Sequence, residues 1–62
     1  MNDLWEIFYE YQHKGIEIAY EGEYRKVFEM YPHGAKMLVT LDDIRGETLR
    51  FNPETKLRWR AR

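Results

Sequence analysis

The chain has neither cysteine nor serine. Without cysteine no disulfide can staple the fold, and thiolate zinc sites are closed to it. Without both residues the two commonest side-chain nucleophiles are missing. Prolines number two and glycines four, each glycine set apart in the chain, so no glycine-rich phosphate loop can form. No apolar run approaches the roughly 18 residues of a membrane span, and the N-terminus lacks the basic-then-apolar order of a signal peptide. Histidines are only two, His13 and His33, with no second histidine or cysteine at ligand spacing. Asp42 and Asp43 are adjacent, so a strand would point them to opposite faces, and they read as turn formers. These absences predict a non-enzymatic domain with no metal and no cofactor, placed in the cytoplasm.

What is present is aromatic bulk. Ten aromatics stand in 62 residues, with 44% hydrophobic and 34% charged residues overall. That balance is globular, and the length allows one domain, residues 1–62, with a small core. Such a core cannot hide every ring, so some are expected on a surface that meets a partner.

The chain reads in two periods. A helix is predicted over about residues 3–14, with Asn2 or Asp3 as N-cap and Lys14-Gly15 as a stop in which Gly15 takes positive φ. Leu4, Ile7, Phe8 and Tyr11 form one stripe; Glu6, Glu10, His13 and Lys14 lie opposite. Trp5 and Tyr9 on the flank widen the apolar arc to roughly 200°, more than one core-facing stripe uses. They are therefore partner-binding candidates, and self-association through them is expected.

From Gly15 to Arg62 the period is two, predicting five strands. Ile16, Ile18 and Tyr20 alternate with Glu17, Ala19 and Glu21, and Gly22-Glu23 is the turn. The second strand runs from Tyr24 to about Tyr31 and is broken at Pro32-His33-Gly34. Lys36 to Leu41 reads as a central strand, Met37-Leu38-Val39 being apolar on both faces. Asp42-Asp43 with Gly46 leads into a strand from Glu47 to Phe51, and Asn52-Pro53-Glu54-Thr55 is a turn. The last strand, Lys56 to Arg62, alternates strictly. A meander this short must curl over its core, which predicts a mainly β, SH3/Sm-like five-stranded antiparallel barrel with an N-terminal helix. An open α+β sheet is the alternative.

Charge is divided along the chain. Residues 1–30 carry seven acids and three bases; residues 31–62 carry four acids and seven bases. In the last strand Lys56, Arg58, Arg60 and Arg62 alternate with Leu57, Trp59 and Ala61, placing four cations on one face for phosphate or an acidic protein surface. The same stripe would also serve to block unwanted strand pairing.

Ile16-x-Ile18-x-Tyr20-x-Gly22, Arg25-x-Val27, Gly34, Leu38 and Asp42, following a helix, resemble the WYL-type ligand-binding domains of bacterial regulators. Lys36 and Met37 replace the tryptophan and tyrosine of that signature, and Glu47 stands at its sensing arginine, so the resemblance implies the Sm-like fold without the ligand site. The helix leading into Ile16-Glu17-Ile18, Gly22-Glu23, and Gly46-Glu47-Thr48-Leu49-Arg50 resemble the Rof-type inhibitors of the termination factor Rho. That resemblance implies protein binding through acidic residues, with Glu17 and Glu23 as the nearest equivalents. The expectation is thus a small regulatory adaptor or inhibitor, in the style of compact phage and mobile-element effectors. Its expected partner is a protein met through Trp5, Tyr9, Glu17 and Glu23, with homodimer formation through the helix or a sheet edge. The alternative is a nucleic-acid-binding module, for RNA or DNA, using Lys56, Arg58, Arg60 and Arg62.

Overall fold

A computed structural model describes residues 1–44 and 47–62. The element order is β1 (Asn2–Asp3), α1 (Leu4–Tyr11), β2 (Ile16–Tyr20), β3 (Glu23–His33), β4 (Lys36–Leu41), β5 (Leu49–Phe51), β6 (Lys56–Leu57) and β7 (Trp59–Ala61). Among the described residues the fold is mainly β with one short helix. All pairings are antiparallel. Five strands form one sheet in the order β5-β4-β3-β2-β7, and β1 pairs with β6 in a two-stranded sheet. Among the described residues β5 and β7 end the larger sheet without pairing to each other, so no closed ring is formed.

Asp3 starts α1. Its side chain accepts from Glu6 N–H at 3.0 Å, while its own N–H donates to the Glu6 carboxylate at 3.4 Å, a reciprocal capping box. The helix ends at Tyr11, sooner than its polar face suggested, with Gln12 as C-cap and His13 and Lys14 in a following turn. Gly15 does not take positive φ; the stop is made by N–H groups of residues 12–14 returning to Phe8 and Glu10 carbonyls. Leu4 and Ile7 are fully buried, and with Ile16, Ile18, Val27, Met30, Met37, Val39 and Leu41 they make the core.

The first hairpin turns one residue earlier than Gly22-Glu23. Tyr20 pairs with Glu23, and Glu21 and Gly22 carry φ of 52° and 83°, the two positive values of a type I′ turn. β3 then continues through Pro32, where the sequence predicts a break. Pairing to β2 stops at Lys26, and beyond it β3 has only β4 alongside. His33 and Lys36 flank a two-residue turn with Gly34 at φ 60°. Hairpin parity then directs the backbone groups of Met30 and Pro32 away from β4. Pro32 thus lacks its N–H on a side where no strand asks for one, and it blunts an open edge.

β3 also carries a bulge. Val27 pairs with Leu41 and Glu29 with Thr40, leaving Phe28 unpaired and 66% exposed. The extra residue resets the alternation so that both Val27 and Met30 face inward. β4 has the predicted bounds and lies between β3 and β5, with Met37, Leu38 and Val39 all buried. Gly46, expected to close β4 into the next strand, lies outside the described residues. β5 is shorter than Glu47 to Phe51. Asn52 to Thr55 forms the expected turn, closed by Thr55 N–H on Asn52 O at 2.9 Å and by Glu54 N–H on the Asn52 side chain at 3.0 Å.

The final strand is two strands. β6 pairs with β1, and β7 pairs with β2, the chain crossing between them at Arg58, whose carbonyl accepts from Ala19 N–H at 2.9 Å. Pairing with both ends of the fold divides what strict alternation made look continuous.

Candidate functional site

The residues singled out from the sequence occupy three separate places. Trp5 and Tyr9 sit one turn apart on α1, on the side away from Leu4 and Ile7, and are 50% and 60% exposed. Trp5 meets Phe8 edge-to-face at 6.4 Å, and Phe8 stacks on Tyr11 at the same spacing. The Tyr11 hydroxyl reaches the Phe28 carbonyl at 3.5 Å, so an aromatic row links the helix flank to the bulge of β3. Tyr9 packs on the His13 ring at 4.5 Å, and His13 Nδ1 lies 2.8 Å from the Tyr9 carbonyl.

Glu17 and Glu23 do not share a face. Glu17 lies opposite Lys26 on β3 and Arg60 on β7, in the outward phase of β2. Glu23 pairs with Tyr20, which is in phase with buried Ile16 and Ile18. The period-2 pleat therefore sends the two acids to opposite sides of the sheet. Glu17 is also engaged: its Oε1 accepts from Arg60 Nε at 2.6 Å, with only 24% of its side chain exposed. Glu23, with 72% of its side chain exposed, makes one long ion pair to Arg25 at 3.6 Å.

The basic residues are divided as well. Arg60 is held by Glu17 and lies 4.2 Å from the centroid of the Tyr24 ring. Ala19, the small residue opposite Tyr24, leaves room for that guanidinium to cross β2. With Lys26 paired to Asp42 at 3.2 Å, the outer face carries Arg60, Glu17, Lys26 and Asp42 in alternating sign. On the inner phase Arg25 bridges Glu23 and Asp43 (3.2 Å) and sits 5.8 Å from the Tyr20 ring. Asp42 and Asp43 thus neutralise two different cations. Lys56, Arg58 and Arg62 are exposed, and among the described residues they make no ion pair. The Arg62 side chain lies against Gly15, where an added Cβ would meet it at 3.6 Å.

Neither Tyr24 nor Arg25 is a candidate site residue by sequence pattern. Tyr24 was discoverable as the neighbour of Ala19 in a β2–β3 hairpin. Arg25 has one partner close in sequence, Glu23, and a second, Asp43, that only the fold brings beside it. Among the described residues no cluster of three histidine, cysteine or acidic side chains is placed to hold a metal. Among the described residues no helix is long and apolar enough to cross a membrane. Compared with family models, with curated proteins and with solved structures, the chain matches none.

Proposed function

We propose that this chain is a small, non-enzymatic regulatory adaptor or inhibitor of the cytoplasm that binds a protein partner through the outer face of α1. The observation that carries the reading is the exposure of Trp5 and Tyr9 on consecutive turns, on the side of the helix the core does not use. Aromatics of this kind dominate binding energetics when a partner desolvates them. The acidic set is a poorer surface, because Glu17 is tied to Arg60 and Glu23 faces elsewhere. Glu23 is available as a rim contact. An SH3/Sm-like small barrel is the architecture we assign: a leading helix, an antiparallel meander, and a last strand returning beside the first long one support it.

The test is co-purification of the tagged chain from a host lysate with identification by mass spectrometry. A specific protein should be retained, lost with Trp5→Ala/Tyr9→Ala, and kept with Lys56→Glu/Arg58→Glu. Retention of nucleic acid in place of a protein, lost with the second pair, would overturn the reading. That outcome belongs to the second reading, a nucleic-acid-binding module, which the exposed cations Lys56, Arg58 and Arg62, without an ion pair among the described residues, favour.

A further inference from the structure

The C-terminal strand sets three arginines in a row on the outer face of the sheet. Trp59 and Ala61 stand opposite buried Ile18 and Ile16, so alternation turns Arg58, Arg60 and Arg62 outward, roughly 6.7 Å apart along the strand. Each has a neighbour on or beside β2. The Arg58 carbonyl accepts from Ala19 N–H, Arg60 stands opposite Glu17, and Arg62 N–H donates to Gly15 O. Of these neighbours only Glu17 is large, and on the far side of Ala19 lies Tyr24 of β3.

The middle arginine differs from the other two. Its Nε–H donates to Glu17 Oε1 at 2.6 Å, and its guanidinium lies over the Tyr24 ring, 4.2 Å from the centroid. Held at one edge and on one face, with 58% of its side chain still exposed, Arg60 presents its other face as a flat platform formed before any ligand arrives. Nucleobases stack on arginine planes as they do on aromatic rings. Arg58 and Arg62 are exposed and make no ion pair among the described residues, which leaves their charge for phosphate. Of the acids nearby, Glu17 is engaged by Arg60 and Asp42 by Lys26, while Glu21, in the turn past Tyr24, bounds the face on that side. We propose that this face binds single-stranded nucleic acid, with one unpaired base stacked on the Arg60–Tyr24 pair and the flanking phosphates on Arg58 and Arg62. The site uses no residue of α1, so it goes beyond the adaptor reading and is tested apart from it.

Fluorescence anisotropy of a labelled oligo-uridine and a labelled oligo-thymidine, titrated with the full chain from ~50 to ~200 mM salt, tests this. At least one should bind, and the tighter of the two identifies the sugar. Tyr24→Ala should weaken binding about tenfold and leave the salt slope unchanged, because a stacking surface is lost and no charge. Tyr24→Phe keeps the ring and should bind as wild type does. Arg60→Lys keeps the charge but removes the plane, and should weaken binding as Tyr24→Ala does, which guards against a Tyr24→Ala chain that fails to fold. Arg58→Gln should instead make the slope shallower by about 0.7. Neither oligonucleotide binding at ~50 mM salt, binding indifferent to both Tyr24→Ala and Arg60→Lys, or equal capture of poly-glutamate, a polyanion without bases, would each overturn the proposal. Trp5→Ala should leave oligonucleotide binding unchanged. If no oligonucleotide binds yet Trp5→Ala/Tyr9→Ala abolishes capture of a protein, the nucleic-acid face is wrong while the adaptor reading holds.

Discussion

The indole Nε1 of Trp59 donates to the side-chain carbonyl of Asn2 across 2.8 Å, tying β7 to β1 through a part-buried hydrogen bond. Around it Leu4 N–H donates to Pro53 O at 3.0 Å, and Arg62 N–H to Gly15 O at 3.0 Å. The two ends of the chain thus close the fold where a disulfide is missing. Lys14 Nζ lies 5.8 Å from the Trp59 ring, on the same side as its ion pair with Glu10.

Removing this link should be costly for so small a domain. Asn2→Ala leaves the Trp59 N–H unpaired and should lower stability by about 1–2 kcal/mol in urea unfolding. In a double-mutant cycle with Trp59→Phe, which removes the donor, Asn2→Ala should show a coupling of about 1 kcal/mol. Additive losses would show that the hydrogen bond contributes nothing.

The three buried residues at the centre of β4 should not be equivalent. Met37 and Val39 point into the core, whereas Leu38 belongs to the other face, paired with Tyr31 and Arg50 and 8% exposed. Met37→Ala should therefore cost about 2–5 kcal/mol, enough to unfold much of the population, and Leu38→Ala distinctly less. Denaturation midpoints that rank Leu38→Ala as the more damaging change would contradict the assignment of faces.

Glu21 holds φ of 52° in the first hairpin, a value that costs a non-glycine residue roughly 1 kcal/mol. Glu21→Asn creates the Asn-Gly pair that type I′ turns favour and should raise the melting temperature by about 4–8 °C per kcal/mol recovered. Gly22→Ala, at φ 83° with open space around it, should lower it through backbone strain alone. A Glu21→Asn melting point at or below wild type would refute the turn type.

The Glu17–Arg60 pair should contribute little to stability despite its 2.6 Å length. More than half of the Arg60 side chain is exposed, so a double-mutant cycle should return about 0.2–1 kcal/mol, shrinking in high salt. Its larger effect is to withdraw one cation from the C-terminal set. Any single-stranded RNA binding would then rest on Lys56, Arg58 and Arg62, with a log–log salt slope of about −2. Glu17→Gln should free Arg60 and steepen that slope toward about −3. A slope that Glu17→Gln leaves unchanged would show that Arg60 never counted, or counted already.

Much of this chain was determined by local pattern alone. The start of the helix is local: Asn2 and Asp3 both qualify as N-cap by residue type, and the structure takes Asp3, with Glu6 of the same helical turn completing a capping box. The inward phase of Ile16 and Ile18, the central place of β4 and the Asn52 turn are local in the same way: period, apolarity and turn chemistry specify them. Residues whose role depends on a distant strand carried no such mark. Nothing near Pro32 announces that β2 has ended six residues before it, yet only that open edge lets a proline continue the strand. The bulge at Phe28, the division of the last strand at Arg58 and the union of acidic Glu17 with basic Arg60 are likewise consequences of register. Side-chain period tells which face a residue takes. Which strand lies alongside, and so which charges meet and which aromatics stay uncovered, is decided by non-local pairing.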